Sequence, residues 1–298
     1  MSPQARGHLA MLSFSLLVAG SFALGAMAAN DISPMALNAA RFWIAGVVIG
    51  GIVLFRGGVP KQAIEAPWRY LVLGGLFAAY FVLMFEGLKT AQATSAAAVF
   101  TLIPLMSAFF GWLLLRQIAT RRMALALLIG AFGALWVIFR ADLSAALSFQ
   151  VGQGEAVYFV GCIFHAIYTP MIRKLNRGES AFVFSLGTIA AGAILLTIFG
   201  WSSIRATDWT NLPAIVWITL FYVAIFASAA TFILLQFASL RLPSAKVMAY
   251  TYLTPTWVIV WQILLGRDVP EGIVLFGVTF TCVALWLLLR PEGEENSA

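Results

Sequence analysis

Charge is what this sequence has least of. Only 10% of its 298 residues are charged, against about 25% in a soluble domain, so the chain could not cover a water-facing surface. Cysteine is almost absent. Cys162 and Cys282 sit in apolar runs without CxxC spacing, which excludes a disulfide or zinc framework. Histidine is equally scarce: His8 and His165 are far apart, and no metal site is expected. The four aspartates (Asp31, Asp142, Asp208 and Asp268) are scattered in separate loops, with no HExxH or DxxxD. Clustered acids holding a metal on phosphate are what a membrane transferase needs, so an enzyme is disfavoured and no cofactor is expected. The chain is basic, with net charge +6 and pI near 9.6. It lacks a patch large enough for the phosphate contacts of nucleic-acid binding.

What is present is apolar. Hydrophobic residues make up 62% of the chain and mean hydropathy is +0.94. A helix crossing the hydrocarbon needs about 20 apolar residues. Ten segments meet or approach that length: 9–29, 35–55, 68–88, 92–115, 122–139, 155–172, 181–200, 213–236, 243–265 and 271–289. The runs are continuous rather than alternating, which excludes barrel strands. Leu9–Ala29 is too long for the apolar core of a cleaved signal and is read as a span. Alternating the ten spans places 13 lysines and arginines on one side and 4 on the other, with Arg41 inside a span. Cations concentrate in cytoplasmic loops, so both termini are expected in the cytoplasm. The expected location is a bacterial inner membrane, with lipid as the surrounding partner and the monomer as a working unit.

One stretch occurs twice. Ala91–Pro104 and Leu242–Pro255 each begin with small and hydroxyl residues and end in a proline inside an apolar run, the prolines being 151 residues apart. Ala134-Leu135-Trp136 recurs as Ala284-Leu285-Trp286 at an offset of 150. The chain thus divides into 1–150 and 151–298, five spans each. Halves with an odd number of spans insert in opposite directions. The expected fold is an all-α integral membrane protein of ten transmembrane helices, arranged as two inverted five-helix repeats. Such repeats mark secondary transporters. Prolines inside helices invite kinks, so Pro104 and Pro255 are candidate hinges.

Arg41 lies inside span 2, where a guanidinium is costly. It can anchor a substrate carboxylate, pair with Glu86, or snorkel to water. Glu86, near the end of span 3, is a candidate ion-pair or proton site, with Lys89 as an alternative partner. His165 and Tyr168 can share one face of span 6 with Tyr158, either lining a cavity or serving as packing glue. Tyr80, Tyr250, Tyr252 and Trp43 lie inside spans, and Asn38 adds a polar handle, as does Gln236. The small-residue runs Gly46–Gly50, Gly130–Gly133 and Ala227–Ala230 read as packing surfaces.

The alanine-rich run before each central proline, Arg41 within Asn38-Ala39-Ala40-Arg41-Phe42, and the glycines of the last span of each half (Gly130, Gly133 and Gly277) resemble the EamA-type branch of the drug/metabolite transporter superfamily. The likeness covers essentially the whole chain. It departs from the family pattern where a glutamate commonly follows each proline span: here stand Arg116-Gln117 and Arg267-Asp268. Tyr252-Leu253-Thr254-Pro255 and the aromatic richness resemble YddG-type exporters of aromatic and neutral amino acids. The resemblance implies alternating-access export of small neutral or aromatic amino acids or related metabolites. The expected site draws on Asn38, Arg41, Trp43, Tyr80, His165, Tyr168, Tyr250 and Tyr252. Export of other metabolites or of lipophilic drugs is the alternative, and a membrane transferase a remote one.

Overall fold

The structure is a computed structural model and describes residues 2–139, 142, 144, 151–267 and 272–289. Among these residues it is all helix. The charges at Arg140, Asp268, Glu271 and Arg290, used above for orientation and repeat matching, lie outside the described residues.

The ten expected spans all appear, with shifted ends. Spans 1 to 3 are Pro3–Ala28, Pro34–Phe55 and Trp68–Gly87. Span 4 is two half-helices, Ala93–Phe100 and Ile103–Leu115. Spans 5 to 7 are Arg121–Ile138, Gln153–Leu175 and Ala181–Phe199. Span 8 runs through Ala214–Ala224, a π-helical segment Ile225–Ala230, and Thr231–Ser239. Span 9 comprises Ser244–Met248, a 3-10 segment Ala249–Leu253, and Thr254–Leu264. Span 10 is Gly272–Leu289. Spans 1 to 8 are long and apolar enough to cross a membrane on length and composition alone. Starts are set by local chemistry: Ser2, Thr120 and Ser180 each accept a backbone N–H of the following turn, as helix caps do.

Most of the packing map is kept when the halves are exchanged. Span 3 packs on span 6 as span 8 packs on span 1; span 3 meets span 7 as span 8 meets span 2; span 4 meets span 6 as span 9 meets span 1. Spans 2 and 7, 4 and 9, and 5 and 10 pair with each other. Lipid tails are as apolar as leucine, so helices associate in a membrane by close approach rather than by hydrophobic exclusion. Glycines make that approach. A Cβ on Gly74 would lie 2.5 Å from the Gly192 nitrogen, and one on Gly133 would lie 2.6 Å from the Gly277 oxygen. Backbones of spans 3 and 7, and of spans 5 and 10, therefore touch directly.

The two prolines act differently from the expected mid-helix kink. Pro104 and Pro255 each sit at the second residue of a new half-helix, after a break at Thr101–Leu102 and after the 3-10 segment. Their missing N–H falls in a first turn, where no intrahelical acceptor is available anyway. The chain breaks before the proline rather than bending at it.

Candidate functional site

Arg41 begins about 10 Å along span 2 at 1.5 Å per residue. It is fully buried. Its Nε donates to Ser228 Oγ at 2.6 Å, its Nη2 to the Ala227 carbonyl at 2.7 Å, and its Nη1 to Asn38 Oδ1 at 3.4 Å. Both Ser228 and Ala227 belong to the π-helical segment of span 8. A wide turn leaves carbonyls without their α-helical donor, and Arg41 supplies one. The guanidinium also lies over the Phe81 ring, 3.6 Å from its centroid. Three of its five N–H donors are engaged. One N–H remains on each Nη, the pair from which a fork on a carboxylate is built.

Glu86 is not the partner of Arg41. Its carboxylate is nearly half exposed at the end of span 3 and pairs with Lys89 at 2.8 Å. Among the described residues no acid stands within ion-pair distance of Arg41.

Next to Arg41 is a block of aromatic rings from spans 3, 4, 6 and 8. Phe77 is its hub. It stacks on Tyr168 with centroids 4.3 Å apart and meets Tyr80, Phe81, His165 and Phe232. His165 stands nearly perpendicular to Tyr80, centroids 4.6 Å apart, and Phe100 closes the block. Tyr80 and Tyr158 share a hydrogen bond of 3.0 Å between their hydroxyls. None of these rings is more than 2% exposed. Two polar atoms here have no partner: His165 Nδ1 and Gln236 Oε1. The other end of the Gln236 amide donates to Tyr168 Oη at 3.3 Å.

The structure thus brings together Asn38, Arg41, Tyr80, His165 and Tyr168 of the expected set. It does not bring in the other three. Trp43 is half exposed on the outer wall and donates to Thr197. It is two residues from Arg41, some 200° around the helix, so both cannot face inward. Tyr250 pairs with His8 near the start of span 1, Oη to Nδ1 3.1 Å. Tyr252 turns to span 5, where its ring fills the space above Gly130. Phe77, Phe81, Phe100, Phe232 and Ser228 were not singled out from sequence. With 24 phenylalanines in the chain, composition could not mark these four.

Outside the membrane-spanning segments, the Glu179 carboxyl faces Arg69, Oε1 to Nη2 2.6 Å. Burial opposes its ionisation. Hydrogen bonds from Arg69 and from the Arg177 N–H, with the Arg69 charge, outweigh this and hold its pKa below the ordinary glutamate value. Arg69 also donates to the Leu175 carbonyl at 2.7 Å. The pair ties the start of span 3 to the loop between spans 6 and 7.

The sequence model of the EamA-like transporter family matches the chain twice, over residues 5–139 and 152–290. The chain belongs to this family. Two relatives span nearly the same length. The uncharacterized transporter YyaM of Bacillus subtilis is 23% identical, covering 98% of each chain. An S-adenosylmethionine/S-adenosylhomocysteine transporter of Chlamydia muridarum is 26% identical, covering 93% of this chain and 89% of its own. A crystal structure with 20% identity superposes with a TM-score of 0.74 over 97% of this chain and 98% of its own, which shows the fold. The chain is an integral membrane transporter of the drug/metabolite type, not an enzyme.

Proposed function

We propose that this EamA-family transporter exports small neutral or aromatic amino acids, or metabolites built on an amino-acid end, by alternating access between its halves, 1–150 and 151–298. The observation that carries this reading is Arg41: a buried cation, without an acidic partner among the described residues, with one N–H free on each Nη. A buried charge calls for a counter-charge, and a cargo carboxylate supplies one. The unpartnered acceptors His165 Nδ1 and Gln236 Oε1 suit the ammonium group of the same cargo. The Phe77–Tyr168 stack, with Tyr80 alongside, suits a flat side chain. S-Adenosylhomocysteine, named as a cargo of the chlamydial relative, is such a molecule: an α-amino acid bearing a planar adenine.

In this reading both termini face the cytoplasm of a bacterial inner membrane, and the chain breaks before Pro104 and Pro255 act as hinges. The rings now fill the centre, so cargo binding parts them. Lipophilic cations fit less well, because Glu86 is outside the block and already paired with Lys89.

The test is counterflow of labelled phenylalanine, threonine and S-adenosylhomocysteine in proteoliposomes, with and without a pH gradient. Saturable exchange of at least one is expected. No movement of any of the three would sink the amino-acid reading, and a gradient dependence would assign the driving force.

A further inference from the structure

Where span 4 ends, on the arginine-rich side, the backbone is strained. Arg116 has φ +54°, the only non-glycine with positive φ among the described residues. This is left-handed space, which side chains rarely occupy. At the end of span 9 the positive φ falls on Gly266, at +64°, one residue before the repeat counterpart Arg267, and glycine adopts the conformation freely. Strain in one half and not in the other calls for a local reason.

The reason is the next residue. The turn aims the Gln117 side chain across the seam between halves, where its Oε1 accepts the Ser244 backbone N–H at 3.1 Å. Ser244 opens the first helical segment of span 9, which no side chain of its own caps. Gly111 makes room: a Cβ there would lie 3.0 Å from Gln117 Oε1 and 3.6 Å from Ser244 Cβ. Beside the bond is a cavity of about 200 Å³ bounded by Ala108, Gln117, Met123, Arg173, Pro243 and Ala245. It is set among the ends of spans 4, 5, 6 and 9. Spans 4 and 9 meet here and again at the opposite face, so this is one of two seams that an alternating-access cycle must open.

We propose that Gln117, aimed by the left-handed turn at Arg116, is the latch that holds this seam shut, and that the adjoining cavity is the vestibule by which cargo reaches the pathway from that side. The acceptor, not the charge, is what the latch needs. A glutamate in place of Gln117 would accept the Ser244 N–H equally.

The test reads accessibility and needs no cargo, so it stands or falls apart from the amino-acid reading. Cysteine is introduced at Ala108 and labelled with a membrane-impermeant maleimide, after subtracting the parent protein that keeps Cys162 and Cys282. Q117L removes the acceptor. S244P removes the donor at the first position of a helix, where proline is tolerated, after a Pro243 already extended at ψ 147°. Each variant is expected to label about fivefold faster, the factor that one net hydrogen bond sets on an open–closed equilibrium. Q117E is expected to label at the parent rate. Parent-like labelling in Q117L or in S244P overturns the latch; if one of them fails to fold, the other decides it.

Discussion

Replacing Arg41 by methionine separates its structural contacts from the proposed transport role, because the two are expected to differ in magnitude. The structural role is the brace on the π-helical segment. R41M leaves Ser228 Oγ and the Ala227 carbonyl without their donor, at about 1–3 kcal/mol for each buried group left unpaired. The same change removes a guanidinium whose burial costs about 2.5–3.5 kcal/mol on insertion scales. The two effects oppose, so the folded protein is expected to keep its thermal unfolding midpoint in detergent within a few degrees. The transport role has no such offset. A fork on a carboxylate contributes about 3 kcal/mol at the lower end of two charge-assisted bonds, which is about a hundredfold in affinity. The expected result is therefore a stable R41M protein whose counterflow of labelled phenylalanine has a KM about a hundredfold higher. R41K keeps the charge but loses the fork and should fall between. The control is phenethylamine, which is phenylalanine without its carboxylate. Its competition should be the same in parent and R41M. If R41M remains folded and transports phenylalanine with a KM changed by less than about threefold, Arg41 is a brace on span 8 and nothing more, and the carboxylate assignment is wrong.

Three further outcomes follow from the geometry. P104A and P255A remove the ring whose clash with the carbonyl four residues back keeps the preceding segment from running on, so each should slow exchange while insertion and expression stay at the parent level; unchanged flux would remove the hinge assignment. Y80F strips one partner from the buried Tyr80–Tyr158 bond and should cost about 1–2 kcal/mol, whereas the Y80F/Y158F double variant should recover most of it, read as a double-mutant cycle of thermal unfolding. Glu179 has a lowered folded-state pKa, so its stabilising contribution is complete above the unfolded value near 4.3 and is lost as pH falls through the folded value below it. E179Q should remove that acid limb of the stability profile and cost about 1–2 kcal/mol at neutral pH, between the values of an exposed and a buried pair, since the contact is part-buried.

The fold was legible because the membrane makes it so. Every polar backbone group in hydrocarbon must be satisfied within its own segment, so run length alone marked the ten helical spans. The site was only half legible. Arg41 with Asn38, and His165 with Tyr168, were found because polar residues in apolar helices are few and helical spacing places neighbours on one face. The same rule, applied to Arg41 and Trp43, would have rejected the tryptophan. Tyr250 and Tyr252 do not join the Arg41 cluster because their segment is 3-10 and directs them to His8 and Gly130, which lie far from them in sequence. The π-helical turn at Ile225–Ala230 had no signal. Its alanines read as packing, and they became the seat of Arg41 only through a carbonyl that the wide turn leaves free.

The scaffold is symmetric and the site is not, and the two facts belong together. Exchange of the halves preserves most of the span contacts, yet the rings come mainly from spans 3 and 6 while the cation is held between spans 2 and 8. On the alternating-access reading, two similar five-helix units would give two mouths that open by related movements. A cargo with a cationic end, an anionic end and a side chain cannot be recognised by two identical walls; it needs acceptors on one and donors on the other. The strained corner follows the same division. Span 9 turns at a glycine and span 4 at an arginine, so the two turns differ in chemistry. In the proposed reading, the shared backbone would supply the movement and the departures from it would set which molecule is carried.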